Sequence, residues 1–363
     1  MPNRPLVTSY RQDFQLFPGR WHRAGLTIAV LIMVLYPLVA DDYWMAIGNK
    51  ALITIVGATA LMILTGFAGQ ISLGHAAFFA VGAYTAAILG KQNVPFWLCM
   101  PVSGFAAGLV GLLVGPFALR LKGVYLAIVT LGLIYLVNHV LFAFSDWTGG
   151  PAGTAVPMYG WFVDAGEASM LGTFNAPLEI GPLFFAFEQK LYLVYLPLTL
   201  YVVYFAKNLQ RSDLGRAMMA VRDKDLAAQA MGIHLGRTRI QALFISSFIA
   251  GVGGAMLAFK QQFITIDPPF NLVFSIEYIA MIVLGGSGTV FGAVAGALAF
   301  VFLSPLAEIV GSQIPLLNQL TNAEQSVLLF SLLVGAILIY EPLGIFGLWL
   351  RVKRFFLAWP FKR

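Results

Sequence analysis

The chain has 363 residues, of which 59% are hydrophobic and only 10% are charged. Ordinary soluble domains carry roughly 25% charged residues, so this composition leaves too little polar surface for a water-soluble particle. A membrane-spanning helix needs about 20 mostly apolar residues, and uncharged runs of that kind recur along the chain. They lack the alternating polarity of a membrane β-barrel. The composition therefore predicts an all-α, polytopic membrane helix bundle.

The formal net charge of +6 is distributed unevenly and indicates orientation rather than nucleic-acid binding. Residues 207–239, here called the basic segment, contain Lys207, Arg211, Arg216, Arg222, Lys224, Arg237 and Arg239. The connection 144–190 instead contains Asp146, Asp164, Glu167, Glu179 and Glu188 against the single base Lys190. Because short cytoplasmic loops are enriched in Lys and Arg, we expect the basic segment inside and the connection outside. Both basic termini are then also cytoplasmic.

In chain order, residues 1–23 form a basic, aromatic N-terminal segment, 24–343 the transmembrane domain and 344–363 a basic, aromatic cytoplasmic tail. Leu38 and Ala40 make a poor signal-peptidase site, so 24–40 is interpreted as a retained helix. About ten crossings satisfy the charge pattern, near 24–40, 51–68, 73–90, 96–118, 123–143, 191–206, 240–259, 277–287, 289–305 and 326–342. Eight crossings result if the glycine-rich pieces are re-entrant.

Two glycine clusters interrupt the apolar runs and predict broken helices near 66–75 and 284–292, here called the first and second glycine breaks. They contain Gly66, Gly69 and Gly74, and Gly285, Gly286, Gly288 and Gly292. Unwound backbone at membrane depth is tolerated only where protein or a wet cavity covers it. Paired glycine-interrupted segments in a transporter point to its substrate path. The alternative is close helix packing through small residues.

Three polar residues of the first glycine break, Gln70, Ser72 and His75, lie inside an otherwise apolar interval. Such side chains face a bundle interior or a cavity, where they bind a neighbouring helix or a passing solute. His75 has no carboxylate near it in sequence, which favours an imidazole bonded to a backbone carbonyl over a proton relay.

Within the basic segment, residues 211–232 have the pattern of an amphipathic helix. Within it, Lys224 and Asp225 begin a short helix of small residues, and Gly232 is placed to end that helix. Its small apolar face comprises Leu226, Ala227, Ala230 and Met231. Such a face suits the groove of a partner protein, the alternative being an ordinary positive-inside loop.

Enzyme signatures are missing from the sequence. No Gly-x-x-x-x-Gly-Lys-Ser/Thr loop, His-Glu-x-x-His or Gly-x-Ser-x-Gly motif occurs, and the four histidines are scattered. Cys99 stands alone in an apolar run, which predicts inert packing. We therefore expect neither a catalytic site, nor a metal site, nor a nucleotide site on this chain.

Five ordered motifs resemble the permease subunits of branched-chain amino-acid ABC importers of the LivM type. They are Thr65-Gly-Phe-Ala-Gly-Gln-Ile-Ser-Leu-Gly-His-Ala-Ala-Phe-Phe79, Leu121-Lys-Gly-Val-Tyr-Leu-Ala-Ile-Val-Thr130, Thr148-Gly-Gly-Pro-Ala-Gly153, the segment 215–232, and Glu277-Tyr-Ile-Ala-Met-Ile-Val-Leu-Gly-Gly-Ser-Gly-Thr289. The resemblance covers roughly 50–305. Residues 154–190 and both tails match no family pattern.

The resemblance implies a heteromeric importer in a bacterial inner membrane. This chain would pair with a second homologous permease, two ATP-binding subunits that hold ATP and Mg, and a periplasmic substrate-binding protein. The basic segment would carry the coupling helix, with contacts at Arg216, Arg222, Asp223, Ala227, Ala228, Met231 and Gly232. The substrate path is predicted at Gln70, Ser72, His75, Gly285, Gly286 and Ser287.

Other functions remain open at this point. Urea, short amides or small aromatic acids could replace branched-chain amino acids as cargo. An ion-coupled secondary carrier would need ionisable groups at the membrane midplane, whereas Glu277, Glu308 and Glu341 lie near predicted helix ends. A membrane-embedded enzyme is disfavoured by the missing catalytic motifs.

Overall fold

Helices make up most of a computed structural model that describes residues 20–121, 123–159, 174, 178–180, 183–311, 321–341 and 343–358. The α-helices in these ranges are α1 Arg20–Val39, α2 Asp42–Met62, α3 His75–Lys91, α4 Phe96–Arg120, α5 Val124–Ala143, α6 Ser145–Thr148, α7 Phe187–Arg211, α8 Asp213–Asp223, α9 Asp225–Ala230, α10 Leu235–Gln261, α11 Leu272–Gly285, α12 Val290–Gly311, α13 Asn322–Tyr340 and α14 Gly344–Ala358. The predicted polytopic helix bundle is confirmed. Most of the N-terminal segment, the middle of the connection 144–190 and the last residues of the tail lie outside the described ranges.

The helix with the most extensive packing against other helices is α10. It packs most extensively against α4 and α3, and also against α2. Glycines allow this approach: a Cβ on Gly82 of α3 would lie 2.1 Å from the Gly251 carbonyl oxygen of α10. Small residues let helix backbones come this close in a membrane, where packing rather than water drives association.

Four helical stretches are long and apolar enough to cross a membrane among the described residues: Asp42–Phe67, Phe96–Phe117, Tyr125–Ala143 and Leu235–Gln261. A fifth candidate is the pair Leu272–Gly285 and Val290–Leu303, bent by 120° at the second glycine break. α11 has 14 residues and so rises about 21 Å, less than the hydrocarbon core of roughly 30 Å. The figure of about ten crossings therefore stays a prediction.

The connection 144–190 and the basic segment lie at opposite ends of α7, a helix of 25 residues that rises about 37 Å. At the first end, Thr154–Ala155 pairs antiparallel with Phe263–Ile264, and Leu178–Ile180 pairs with Leu183–Phe185. α7 is therefore long enough to separate the two regions by a bilayer.

The start of α11 is set by a capping side chain and lies earlier in the chain than hydropathy alone predicts. The predicted crossing 277–287 begins at Leu272 in the structure, because the Asn271 side chain accepts a hydrogen bond from the Phe274 amide at 3.1 Å. Asn is a strongly preferred N-cap residue. Glu277 consequently lies in the second turn of α11 rather than at its end.

Candidate functional site

The first glycine break is an unwound segment between α2 and α3. α2 continues into a π-helical turn, Ile63–Phe67, and regular structure resumes only at His75. Gly69 adopts a φ of +67°, a left-handed conformation that favours glycine. The predicted broken helix at 66–75 is therefore present.

Side chains from distant helices satisfy the backbone of this break. The Leu73 amide donates to Thr130 Oγ1 of α5 at 2.9 Å, and the Ala76 amide donates to Ser275 Oγ of α11 at 2.9 Å. A buried backbone group without a partner costs free energy comparable to a lost hydrogen bond, so these contacts stabilise the unwound segment.

Gln70, Ser72 and His75 are all buried, but their surroundings differ. Gln70 donates from Nε2 to the Arg239 carbonyl at 3.1 Å, whereas its Oε1 has no hydrogen-bond partner among the described residues. Ser72 Oγ accepts from the Gly74 amide at 3.2 Å. The His75 ring packs between Phe79 and Tyr278, with centroid distances of 5.1 and 4.9 Å.

His75 is also hydrogen-bonded to the Gly57 backbone, and it has no carboxylate partner among its contacts in the described residues. The ring is therefore packed among aromatic side chains, while its Nε2 is buried and has no hydrogen-bond partner among the described residues. Contact of Gln70, Ser72 or His75 with a solute stays a prediction.

The second glycine break is a tight helical hairpin. α11 ends at Gly285, Gly286 has a φ of +113°, and α12 begins at Val290. A Cβ on Gly285 would lie 1.8 Å from the Gly292 carbonyl oxygen, so the two helix backbones are nearly in contact. Thr289 Oγ1 caps α12 by accepting from the Gly292 amide at 3.0 Å.

The two breaks meet each other. A Cβ on Gly66 would lie 1.9 Å from the carbonyl oxygen of Ser287, so only glycine fits at this crossing. Ser287 itself is exposed. The predicted path residues Gly285, Gly286 and Ser287 are thereby brought beside the first break.

The basic segment folds into α8 and the short helix α9. The predicted apolar face is exposed, with Leu226 at 83% and Met231 at 84% relative accessibility. Ala227 and Gly232 are exposed as well. Ala228 instead faces the bundle and is 4% exposed, so it does not belong to the outward face.

Three charged residues of the basic segment differ in their surroundings. Arg216 is exposed and forms an ion pair with Asp213 on its own helix. Arg222 points inward instead: its Nη1 donates to the Gly66 carbonyl, and its Nε pairs with Asp223 at 2.9 Å. The two regions predicted separately, the path and the coupling segment, therefore touch.

A small cavity lies where they touch. It measures about 120 Å³ and is lined by Ala68, Gly69, Gln70, Leu121, Gly123, Leu126, Val221, Arg222, Asp225 and Arg239. Arg239 Nη2 pairs with Asp225 at 3.0 Å, and both side chains are mostly buried. Of the predicted path residues, only Gln70 borders this cavity.

Sequence reasoning missed four residues that hold the site together: Thr130, Ser275, Asp225 and Arg239. Thr130 and Ser275 are polar residues within apolar runs, the same signal that identified Gln70. Arg239 was interpreted only as an orientation charge, and Asp225 only as a helix start. Nothing local in the sequence indicates that they pair with each other and reach Gln70.

The fold and this site define a class: a polytopic helical membrane protein with two broken helices joined to a polar surface segment. A profile of the family described as "Branched-chain amino acid transport system / permease component" matches residues 44–340. The chain belongs to this family.

Several curated relatives are similar along most of the chain. The high-affinity branched-chain amino acid transport system permease protein LivM of Escherichia coli is 32% identical over 76% of this chain and 66% of its own length. LivM of Salmonella typhimurium gives the same identity and coverage. BraD of Pseudomonas aeruginosa, a permease protein of the same description, is 27% identical over 84% of this chain and 93% of its own length. The chain thus matches just under two thirds of each LivM relative. No solved structure matches it significantly.

Proposed function

We propose that this chain is the transmembrane permease subunit of an ATP-driven importer and forms half of the translocation path for branched-chain amino acids. Membership of the permease family supports the assignment. The observation that carries it is the direct contact between the basic segment and the first glycine break, because an importer must connect a surface that receives force to the helices that open and close.

The outward face of α9 is the docking surface for an ATP-binding subunit. Leu226, Ala227 and Met231 expose a small apolar patch, and the acidic and basic residues around it are suited to a polar rim. Protein-binding grooves take amphipathic helices of this kind. ATP and Mg are held by the partner subunits, since this chain carries no phosphate-binding loop.

The solute passes beside the two glycine breaks. Broken helices expose backbone groups that bind cargo in many transporters. Gln70 is suited to this role because its amide oxygen is buried and has no partner in the part of the chain that the structure describes. Ser72, His75, Gly285, Gly286 and Ser287 remain proposed path residues. The cargo is delivered by a periplasmic substrate-binding protein, and a second homologous permease completes the path.

The proposal places the chain in a bacterial inner membrane with both termini in the cytoplasm. The positive charge of the basic segment supports this orientation. The length of α7, a helix of 25 residues, supports a position of the connection 144–190 on the other side of the membrane.

Reconstitution tests the function directly. The chain is co-expressed with candidate second-permease, ATP-binding and substrate-binding subunits from the same organism, and the purified complex is placed in liposomes with ATP inside or outside. We expect uptake of radiolabelled leucine that requires ATP, Mg and the binding protein together. Uptake by this chain alone, driven by an ion gradient, would contradict the proposal and favour a secondary carrier.

A separate measurement decides the cargo. Calorimetric titration of the purified binding protein with leucine, isoleucine and valine is compared with urea, short amides and small aromatic acids. Binding of only the second group would keep the importer and replace its substrate.

A further inference from the structure

We propose that Arg222 is a positioning residue that ties the basic segment to both glycine breaks, so that movement of that segment is passed to the breaks through one side chain. This inference rests on the proposed function and adds to it the residue through which force is transmitted. It assigns Arg222 an internal role distinct from contact with an ATP-binding subunit.

The carbonyl that Arg222 binds is one that the break leaves without its helical partner. In a regular helix the Gly66 carbonyl would accept the amide of Gln70, but that amide donates to Leu64 at 3.1 Å instead. The guanidinium of Arg222 donates to the Gly66 carbonyl in place of the Gln70 amide. A cation is also favoured at the carboxyl end of a helix, where the dipole is negative.

The aliphatic part of Arg222 is packed as closely as its charged end. A Cβ on Gly69 would lie 2.6 Å from Arg222 Cγ, so the stem of the arginine lies directly on the first break. Its side chain is 34% exposed, despite its place on a surface helix. The Arg222 side chain is therefore held at its aliphatic stem by Gly69 and at its guanidinium by the Gly66 carbonyl.

The second break is within reach of the same guanidinium. The Cβ position of Gly288 lies 3.8 Å from Arg222 Nη1, and Ser287 crosses Gly66 in backbone contact. A displacement of Arg222 thus affects the place where both breaks meet.

The helix that carries Arg222 is anchored to the bundle, while the next helix is free to receive a partner. Met218 and Val221 of α8 are buried on the same side, whereas Leu226 of α9 is exposed. Asp223 holds the guanidinium from the α8 side at 2.9 Å. The connection between Arg222 and the proposed docking helix is short, because only two residues separate Arg222 from the start of α9.

The test uses the complete importer in liposomes and measures leucine uptake and ATP hydrolysis in the same preparation. Arg222→Ala removes both the stem and the guanidinium, and Arg222→Lys restores the stem and one donor. Arg237→Ala is the matched control, because Arg237 is an exposed arginine of the basic segment and is not among the atoms nearest to the described glycines of either break.

We expect Arg222→Ala to assemble and hydrolyse ATP while the leucine transported per ATP falls about tenfold. Arg222→Lys should recover part of that ratio, and Arg237→Ala should match the unmodified complex. A purely structural role would lower uptake and hydrolysis together and leave their ratio unchanged.

Three results would overturn the inference. One is a ratio within twofold of the unmodified complex in Arg222→Ala. Another is loss of assembly in both Arg222→Ala and Arg222→Lys, which would make Arg222 an assembly residue. The third is absence of ATP-dependent uptake by the unmodified complex. That result would reject the proposed function itself, and it is distinguished from the other two because it is seen without any substitution.

Discussion

At the scale of single residues, glycine decides where the breaks can meet. Gly66 is the glycine at which the two breaks cross, and a methyl group there would overlap the Ser287 carbonyl. We expect Gly66→Ala to lower the free energy of unfolding by about 1–3 kcal/mol, as overpacking does elsewhere. The loss is measured as a fall in melting temperature of the purified chain in detergent.

The matched control for that change is Gly335→Ala in α13, where a Cβ would meet nothing within 4 Å. Alanine in a helix interior is favoured over glycine by about 0.5–1 kcal/mol, so this variant should melt at the same or a higher temperature. Equal losses in both variants would show that the crossing of the two breaks is not tightly packed.

Gln70 is the residue at which the predicted path and the predicted coupling region coincide. Gln70→Leu keeps the size of the side chain but removes its hydrogen bond to Arg239. A net hydrogen bond is worth about 1 kcal/mol, so we expect ATP-dependent uptake to fall about fivefold with assembly intact. Ser72→Leu should also reduce uptake.

Thr85→Leu serves as the control for Gln70→Leu, because Thr85 Oγ1 donates within its own helix, to the Val81 carbonyl at 2.7 Å. Initial rates of leucine uptake compare the variants. Unchanged rates in Gln70→Leu and Ser72→Leu would mean that these residues only pack the break.

At the scale of elements, α9 is a short helix whose two sides have different tasks. Its outward side carries Leu226, Ala227 and Met231, while Ala228 packs against the bundle. Ala227→Trp should prevent the ATP-binding subunits from co-purifying and abolish uptake, because the bulky ring blocks the groove that receives α9. Insertion of the chain in the membrane should be normal.

Ala155→Trp provides the comparison, since Ala155 is exposed at the opposite end of the bundle. Pull-down through a tag on this chain measures the bound ATP-binding subunits in each variant. Normal co-purification with Ala227→Trp would place the docking surface elsewhere.

At the scale of the whole molecule, α7 lies between two regions of opposite charge, and we predict the orientation from which of the two is basic. Single cysteines at Asp146→Cys and Gln229→Cys test it, because both positions are exposed. Native Cys99 is buried, and replacing it with alanine gives a clean background. An impermeant thiol reagent should label position 146 in intact spheroplasts and position 229 only in inside-out vesicles.

The reverse labelling pattern would invert the topology and put α9 out of reach of ATP. Labelling of both positions from one side would show that α7 does not span. The number of crossings, predicted as about ten, is open to the same approach with cysteines placed between successive helices.

The sequence by itself determined the membrane class, the two glycine breaks and the amphipathic basic segment, because each is a local pattern of apolarity, glycine or charge. It also carried the family resemblance, which the profile match confirms. Helix starts were less well determined, as Asn271 shows, since a single capping side chain outweighs hydropathy.

Only the tertiary structure decided how these parts are joined. Arg222 and Gly66 lie 156 residues apart in the chain, and an arginine on a polar helix has the same sequence signature whether it points to solvent or to a freed carbonyl. That choice depends on where the unwound break presents its backbone, which folding alone fixes. The same holds for Thr130 and Ser275, whose hydroxyls become necessary only because the break they satisfy is brought beside them.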